Sequence, residues 1–166
     1  MKTERVEPLL FVTCGGTIDK VYFDAKSEFE VGSPQVAGLL EEANVGVPCR
    51  ILPVLRKDSL EMTEADREAI RDAIAAQPER LAVVTHGTDT MIQTARALSG
   101  LEGRTIVLTG SMQPARFRVS DAEFNLGTAV AAVQLLPSGV YVAMNGRVFD
   151  PMRARKNVEA NRFEEA

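Results

Sequence analysis

The sequence predicts an α/β protein, a doubly wound and mostly parallel open sheet with helices on both faces in a single domain. Three observations carry that expectation. The short apolar runs are continuous rather than alternating, as strands covered on both faces require. Helical patterns stand between those runs, joined by short connections. The chain has 166 residues, 45% hydrophobic and 25% charged, which suits one ordinary core and disfavours disordered, fibrous or disulfide-built classes.

Taken in order, Leu9-Leu-Phe-Val12 reads as the first strand, and a smaller helix is expected near Pro34 to Ala43. Ile51-Leu-Pro-Val54 reads as a strand too, but Pro53 has no N–H for a ladder, which puts the strand at an edge or ends it early. Thr63-Glu-Ala-Asp66 has the form of a capping box; Ala65, Ala69 and Ala73 with Ile70 and Ile74 give the helix an apolar face, and Pro78 stops it. Leu81-Ala-Val-Val84 is the next strand. Met91, Ile92, Ala95 and Leu98 then repeat at helical spacing, with Gly100 just beyond. Thr105-Ile-Val-Leu108 follows as a strand, and Ser120-Asp-Ala-Glu123 starts a helix with Phe124, Gly127, Ala131 and Leu135 as its apolar positions before Pro137. Val140-Tyr-Val-Ala143 is the last clear strand, and the segment from Asn145 onward has few core-like positions.

Composition excludes several function classes. With a net charge of −4 and basic residues scattered apart from Arg153, Arg155 and Lys156, there is no broad patch for gripping phosphates, so no nucleic-acid partner is expected. Cys14 and Cys49 form no CxxC and His86 is the only histidine, which leaves no set of ligands for a protein zinc site; no metal and no cofactor is expected. Only four apolar residues, Leu9 to Val12, follow the charged N-terminus, too few for a signal-peptide core. Thr128 to Leu136, broken by Gln134, is far shorter than the roughly 20 residues of a membrane span. No membrane contact is expected, and the chain is assigned to the cytoplasm with reduced thiols.

In an open α/β sheet, ligands lie beyond the carboxyl ends of the strands. Three such ends, Val12-Thr-Cys-Gly-Gly-Thr17, Val84-Thr-His-Gly-Thr-Asp89 and Leu108-Thr-Gly-Ser111, combine glycine with small hydroxyl residues. Any one of them is explained by a tight turn and a helix cap. Gly15-Gly16 lacks the third glycine and downstream acid of a dinucleotide site. Unless His86 serves, a serine or threonine nucleophile here needs a phenol or an amine as its base, groups with reference pKa values of about 10 and 10.4 that must be perturbed to accept a proton near neutrality.

Five segments in order carry a resemblance. Phe11-Val-Thr-Cys-Gly-Gly-Thr-Ile18, Asp58-Ser-Leu-Glu-Met62, His86-Gly-Thr-Asp-Thr90, Leu108-Thr-Gly-Ser-Met-Gln-Pro114 with Phe124-Asn-Leu126, and Met144-Asn-Gly-Arg-Val-Phe-Asp150 through Lys156 together resemble the bacterial-type L-asparaginases over nearly the whole chain. The resemblance implies that Thr17 is the primary nucleophile and Tyr22 the nearby tyrosine on a flexible lid. It implies that Thr88, Asp89 and Lys156 form a second catalytic group, with Asp89 and Lys156 as a buried, coupled pair. It further implies that Asp58 and Ser59 belong to the substrate-carboxylate loop, that Asp89 also receives the substrate ammonium, and that His86 is structural. Cys14, Asp19 and Leu60 depart from the family pattern, standing where threonine, a small residue and often glutamine are usual.

The function implied is hydrolysis of the side-chain amide of L-asparagine to aspartate and ammonia through a threonyl acyl-enzyme. Two other readings are a small-molecule sensor that has lost turnover and an amidotransferase-like component acting on misacylated tRNA, the latter without an evident nucleic-acid-binding region. The family's second, C-terminal domain supplies an acidic residue to a neighbouring site. The sequence ends ten residues past Lys156 and is read as the N-terminal-type domain alone, residues 1–166. A site open at its strand ends then calls for a homo-oligomer, a dimer or tetramer, with Asn145 to Ala166 expected at the interface.

Overall fold

The computed structural model describes residues 6–166. Its central sheet is built from β1 (Leu9–Gly15), β4 (Cys49–Lys57), β5 (Leu81–Thr85), β6 (Thr105–Thr109), β7 (Gly139–Met144) and β8 (Arg147–Phe149), in the order β4-β1-β5-β6-β7-β8. All neighbours run parallel except β7 and β8, which form a hairpin. Two antiparallel hairpins stand outside this sheet: β2 (Lys20–Phe23) with β3 (Glu28–Val31), and β9 (Ala154–Asn157) with β10 (Arg162–Glu165).

Helices α2 (Glu64–Ala75) and α3 (Met91–Leu98) cover one face, where Ile70, Ile74, Met91 and Leu98 meet Leu10, Val84 and Leu108. The opposite face carries α1 (Val36–Glu42) and α4 (Ala122–Leu135), where Leu39 and Leu126 pack with Phe11 and Val107. Both faces of the inner strands are therefore buried, which is why their sequences are continuously apolar. The chain passes from β1 out to the β4 edge and returns across β1 to β5. That reversal opens a crevice at the carboxyl ends of β1 and β5, where ligands collect in such sheets.

Pro53 does lie in the edge strand, although β4 continues past it to Lys57. The capping box of α2 forms as expected: Asp66 N–H donates to Thr63 Oγ1 at 3.2 Å, and Thr63 N–H donates to Asp66 Oδ2 at 2.8 Å.

Three expectations are corrected. Ala65 and Ala69 of α2 are exposed, and the buried face is set by Ile70, Ile74 and the stem of Arg67, since a methyl gains little from burial beside an isoleucine. On α4, Phe124, Gly127, Ala131 and Leu135 point to solvent. The face turned to the sheet is Ala122, Asn125, Leu126, Ala129, Ala132 and Val133. This helix is apolar nearly all round, so period alone did not distinguish its two sides. Finally, the segment after Asn145 is no coreless tail: Phe149, Ala154 and Phe163 are buried and join the cluster under α3.

Candidate functional site

Backbone crowding builds the floor of the crevice. Gly15 and Gly16 both have φ of +90°, and Gly16 N–H donates to Lys57 O at 3.0 Å, folding the end of β1 against β4. A Cβ on Gly16 would lie 2.3 Å from the Gly87 nitrogen, and one on Gly87 would lie 2.6 Å from Ser59 Oγ. Only glycine permits that approach. Thr90 Oγ1 donates to Ser59 O at 2.8 Å and fixes the third wall. The turn carrying Thr17, the turn carrying Thr88 and the loop carrying Ser59 are thus in direct contact.

Lys156 reaches this crevice from the β9–β10 hairpin. Its ammonium donates to Thr88 Oγ1 at 2.8 Å and to Asp89 Oδ1 at 2.6 Å, joining three of the expected residues across 67 and 68 positions of sequence. The resemblance predicts that the pair with Asp89 is buried. Instead the Lys156 side chain is 15% exposed and that of Asp89 43%, because Asp89 stands at the mouth of the crevice. Ser59 Oγ is buried and has no hydrogen-bond partner among the described residues. A buried hydroxyl left unpaired is costly, so a ligand group that pairs with it is favoured.

Asp58, expected to take part in substrate binding, has a partner for each carboxylate oxygen. Its Oδ1 accepts from Leu60 N–H at 3.1 Å and its Oδ2 pairs with Lys20 at 2.9 Å. Partial burial works against its charged form, but Lys20, the Leu60 N–H and the field of Lys156 outweigh it and hold the carboxyl below its usual range. Tyr22 is also apart from the Lys156 group: it is exposed on β2, edge-on to Phe29 with ring centroids 5.3 Å apart. Thr17 begins a short 3-10 turn, half-buried, five residues before Tyr22.

His86 is fully buried, and its Nδ1 lies 2.7 Å from Gly87 O, an acceptor only. Nδ1 therefore carries the proton, and Nε2 accepts from Thr94 Oγ1 at 2.8 Å. Burial, with the nearby Arg67 charge, lowers its pKa to about 4. A neutral imidazole with both nitrogens engaged orients the β5 turn, in line with the structural role expected. Cys14 is buried in β1, and burial pushes its thiol well above the ordinary range.

The support for this site is only partly foreseeable from sequence. Asp121 accepts from Met112 and Gln113 N–H and from Asn125 Nδ2, closing the loop after β6 onto α4. Buried Asn125 also donates to Gly110 O and accepts from Asn145 N–H, while Asn145 Oδ1 accepts from Phe163 N–H. This relay ties the sheet to the hairpin that bears Lys156. The triplet Phe124-Asn-Leu126 marks Asn125; nothing in the sequence marks Asp121 as its partner.

The model for the N-terminal part of the asparaginases ("Asparaginase, N-terminal") matches residues 8–164. The L-asparaginase of Thermococcus kodakarensis is 31% identical over 156 residues, covering 89% of this chain and 47% of its own. The solved structure of L-asparaginase I from Vibrio cholerae superposes with a TM-score of 0.83 at 28% identity, covering 96% of this chain and 51% of that one. A shorter match, 42% over 85 residues, is to a glutamyl-tRNA(Gln) amidotransferase component of Methanococcus vannielii, covering half of this chain and 20% of that protein. The chain thus spans about half the length, or less, of the relatives it matches, and over nearly all of its own length it belongs to the asparaginase family.

Proposed function

We propose that the protein hydrolyses the side-chain amide of L-asparagine. The observation that carries this reading is the Lys156–Thr88–Asp89 cluster beside the glycine turn that presents Thr17. Thr17 Oγ attacks the amide carbon, and backbone N–H groups of the β1 and β5 turns hold the oxyanion. As the C–N bond breaks, the Thr17 proton ends on the departing nitrogen, so a hydroxyl that accepts and donates in one motion is a sufficient carrier. Tyr22 and Thr88 are the candidates. An ammonium has no lone pair, so Thr88 Oγ1 accepts from Lys156 and keeps its own proton free to donate into the crevice. Water then attacks the ester, its proton returns to Thr17 Oγ, and aspartate leaves. Ser59 Oγ receives the substrate carboxylate, and the free oxygen of Asp89 its ammonium.

Ammonia release from asparagine, from glutamine and without substrate tests this, with Thr17→Ala beside the wild type. Asparagine should exceed glutamine in kcat/KM by about tens to hundreds, since one methylene is worth about 1–3 kcal/mol in a fitted pocket. Activity of Thr17→Ala above a few per cent of the wild type removes Thr17 as nucleophile. The match to an amidotransferase component favours a second reading, an amidotransferase-like component acting on misacylated tRNA; preference for glutamine over asparagine is the outcome that favours it. The reading includes a homo-oligomer, since Phe124 and Leu135 of α4 stand 64% and 83% exposed and a large apolar face invites association. A fully active 18.1 kDa monomer in light scattering overturns that part.

A further inference from the structure

The β2–β3 hairpin carries Tyr22, yet neither strand pairs with the central sheet. A lone two-stranded hairpin has little stability of its own, so its contacts with the body decide where it sits. At its root, Gly32 N–H donates to Asp19 O at 2.7 Å and Gln35 N–H to Asp19 Oδ1 at 2.9 Å, which closes the neck of the excursion. Arg56 Nε donates to Val31 O at 2.8 Å. Towards its tip the attachment is aromatic, with Phe29 edge-on to Phe117 at 5.6 Å. One contact joins the hairpin to the loop that holds Ser59: the Lys20–Asp58 ion pair at 2.9 Å, with side chains 26% and 31% exposed.

This pair engages Asp58 Oδ2, while Asp58 Oδ1 accepts from Leu60 N–H. Lys20 lies three residues after Thr17 and two before Tyr22, in the strand that connects them. The pair is separate from the Asp19 neck, so a substitution at either member leaves the Asp19, Arg56 and Phe117 contacts of the hairpin in place.

We propose that Lys20 and Asp58 form a catch that seats the β2–β3 hairpin on the Ser59 loop, making Lys20 a positioning residue that fixes Tyr22 relative to Thr17. The positioning part rests on the amidohydrolase reading above; the catch itself does not.

Tryptic cleavage after Lys26, in the exposed turn of the hairpin, followed on the full chain by mass spectrometry, reads the catch without reference to activity. A partly exposed ion pair is worth roughly a twofold to fivefold change in an opening equilibrium. Lys20→Met and Asp58→Asn should each speed this cleavage by about that factor, and the double variant by no more than either alone. About 1 M sodium chloride should speed it in the wild type and not in the variants. In turnover, Lys20→Met should lower kcat by a similar factor with KM little changed, and Lys20→Arg should restore both. Cleavage unchanged in both single variants, or effects that multiply in the double variant, overturns the catch. Faster cleavage with unchanged kcat overturns the positioning role. Faster cleavage in a protein that releases no ammonia supports the catch and removes the amidohydrolase reading instead.

Discussion

Two hairpins meet the same crevice and are held in opposite ways. The β9–β10 hairpin brings Lys156 and is anchored by buried Phe163 and Ala154 and by the Asn145 bond to Phe163 N–H. The β2–β3 hairpin brings Tyr22, and Tyr22, Phe23 and Phe29 are 52%, 43% and 49% exposed. One candidate group is therefore built into the core, and the other is held from its root. On the proposed reading, a cation that holds Thr88 gains from a rigid mount, whereas a group that covers arriving substrate gains from a detachable one.

Removing Lys156 gives the largest effect on this comparison. Lys156→Met should lower kcat by about 10²- to 10⁴-fold, the range for losing a positioned proton carrier, here Thr88 deprived of the donor that orients it, and change KM far less. Asp89 is 43% exposed and regains water when its partner is gone, so the fold should survive with an unchanged circular dichroism spectrum. Turnover within threefold of the wild type would reduce Lys156 to a surface charge.

Phe163 tests the core mount directly. Its ring is 2% exposed, 6.5 Å from that of Phe149, and Phe163 is paired in register with Lys156. Phe163→Ala should cost about 3–5 kcal/mol in denaturant unfolding and lower activity in step, since the hairpin that loses its anchor carries the lysine. A loss under about 1 kcal/mol would mean that β9–β10 is held by its polar contacts alone.

Acid stability separates the sheet from the root of the hairpin. His86, with a pKa lowered from 6.5 to about 4, stabilises the fold above pH 6.5, and that stability is lost as pH falls towards 4. Asp19 is raised from 3.8 to about 6, chiefly by burial, against the opposing pull of the Gln35 N–H and Arg56. Its buried charge costs stability above pH 6, and that cost is relieved as pH falls towards 3.8. Each shift corresponds to about 3 kcal/mol, so the two nearly cancel between pH 6 and 4. Asp19→Asn should remove the compensation, and its unfolding free energy should fall by about 2 kcal/mol across that range while the wild type changes little. Parallel pH profiles for the two proteins would show that Asp19 does not titrate there.

How much of this is legible in the sequence follows the same division. The buried parallel strands show as uninterrupted apolar runs, and the glycine turns show because close backbone approach admits only one residue type. Lys156 is legible through a motif, but its mount is not: Ala154, Phe149 and Phe163 are isolated apolar residues in a polar stretch, with no period to mark them. α4 misleads for the opposite reason, since Phe124 and Leu135 are as apolar as the buried Leu126 and Val133. The Lys20–Asp58 pair joins residues 38 positions apart whose charges look solvated in the sequence, and only the fold brings them within 2.9 Å.

The smallest effect is expected at Phe29, and it sharpens the contrast with Phe163. Both are aromatic residues of two-stranded hairpins, yet Phe29 is 49% exposed and touches only Tyr22 and Phe117 among the aromatic rings, at centroid distances of 5.3 and 5.6 Å. Edge-to-face pairs of this kind contribute about 0.5–1.5 kcal/mol where shielded, and half-exposure discounts that. Phe29→Ala should therefore leave global stability within about 1 kcal/mol of the wild type in denaturant unfolding. Its effect should appear in the hairpin, as faster tryptic cleavage after Lys26 with the Lys20–Asp58 pair still made. Because that pair persists, adding Lys20→Met should increase the cleavage further, unlike the addition of Asp58→Asn to Lys20→Met. A global loss as large as that of Phe163→Ala would show that the β2–β3 hairpin is part of the core and erase the distinction between the two mounts.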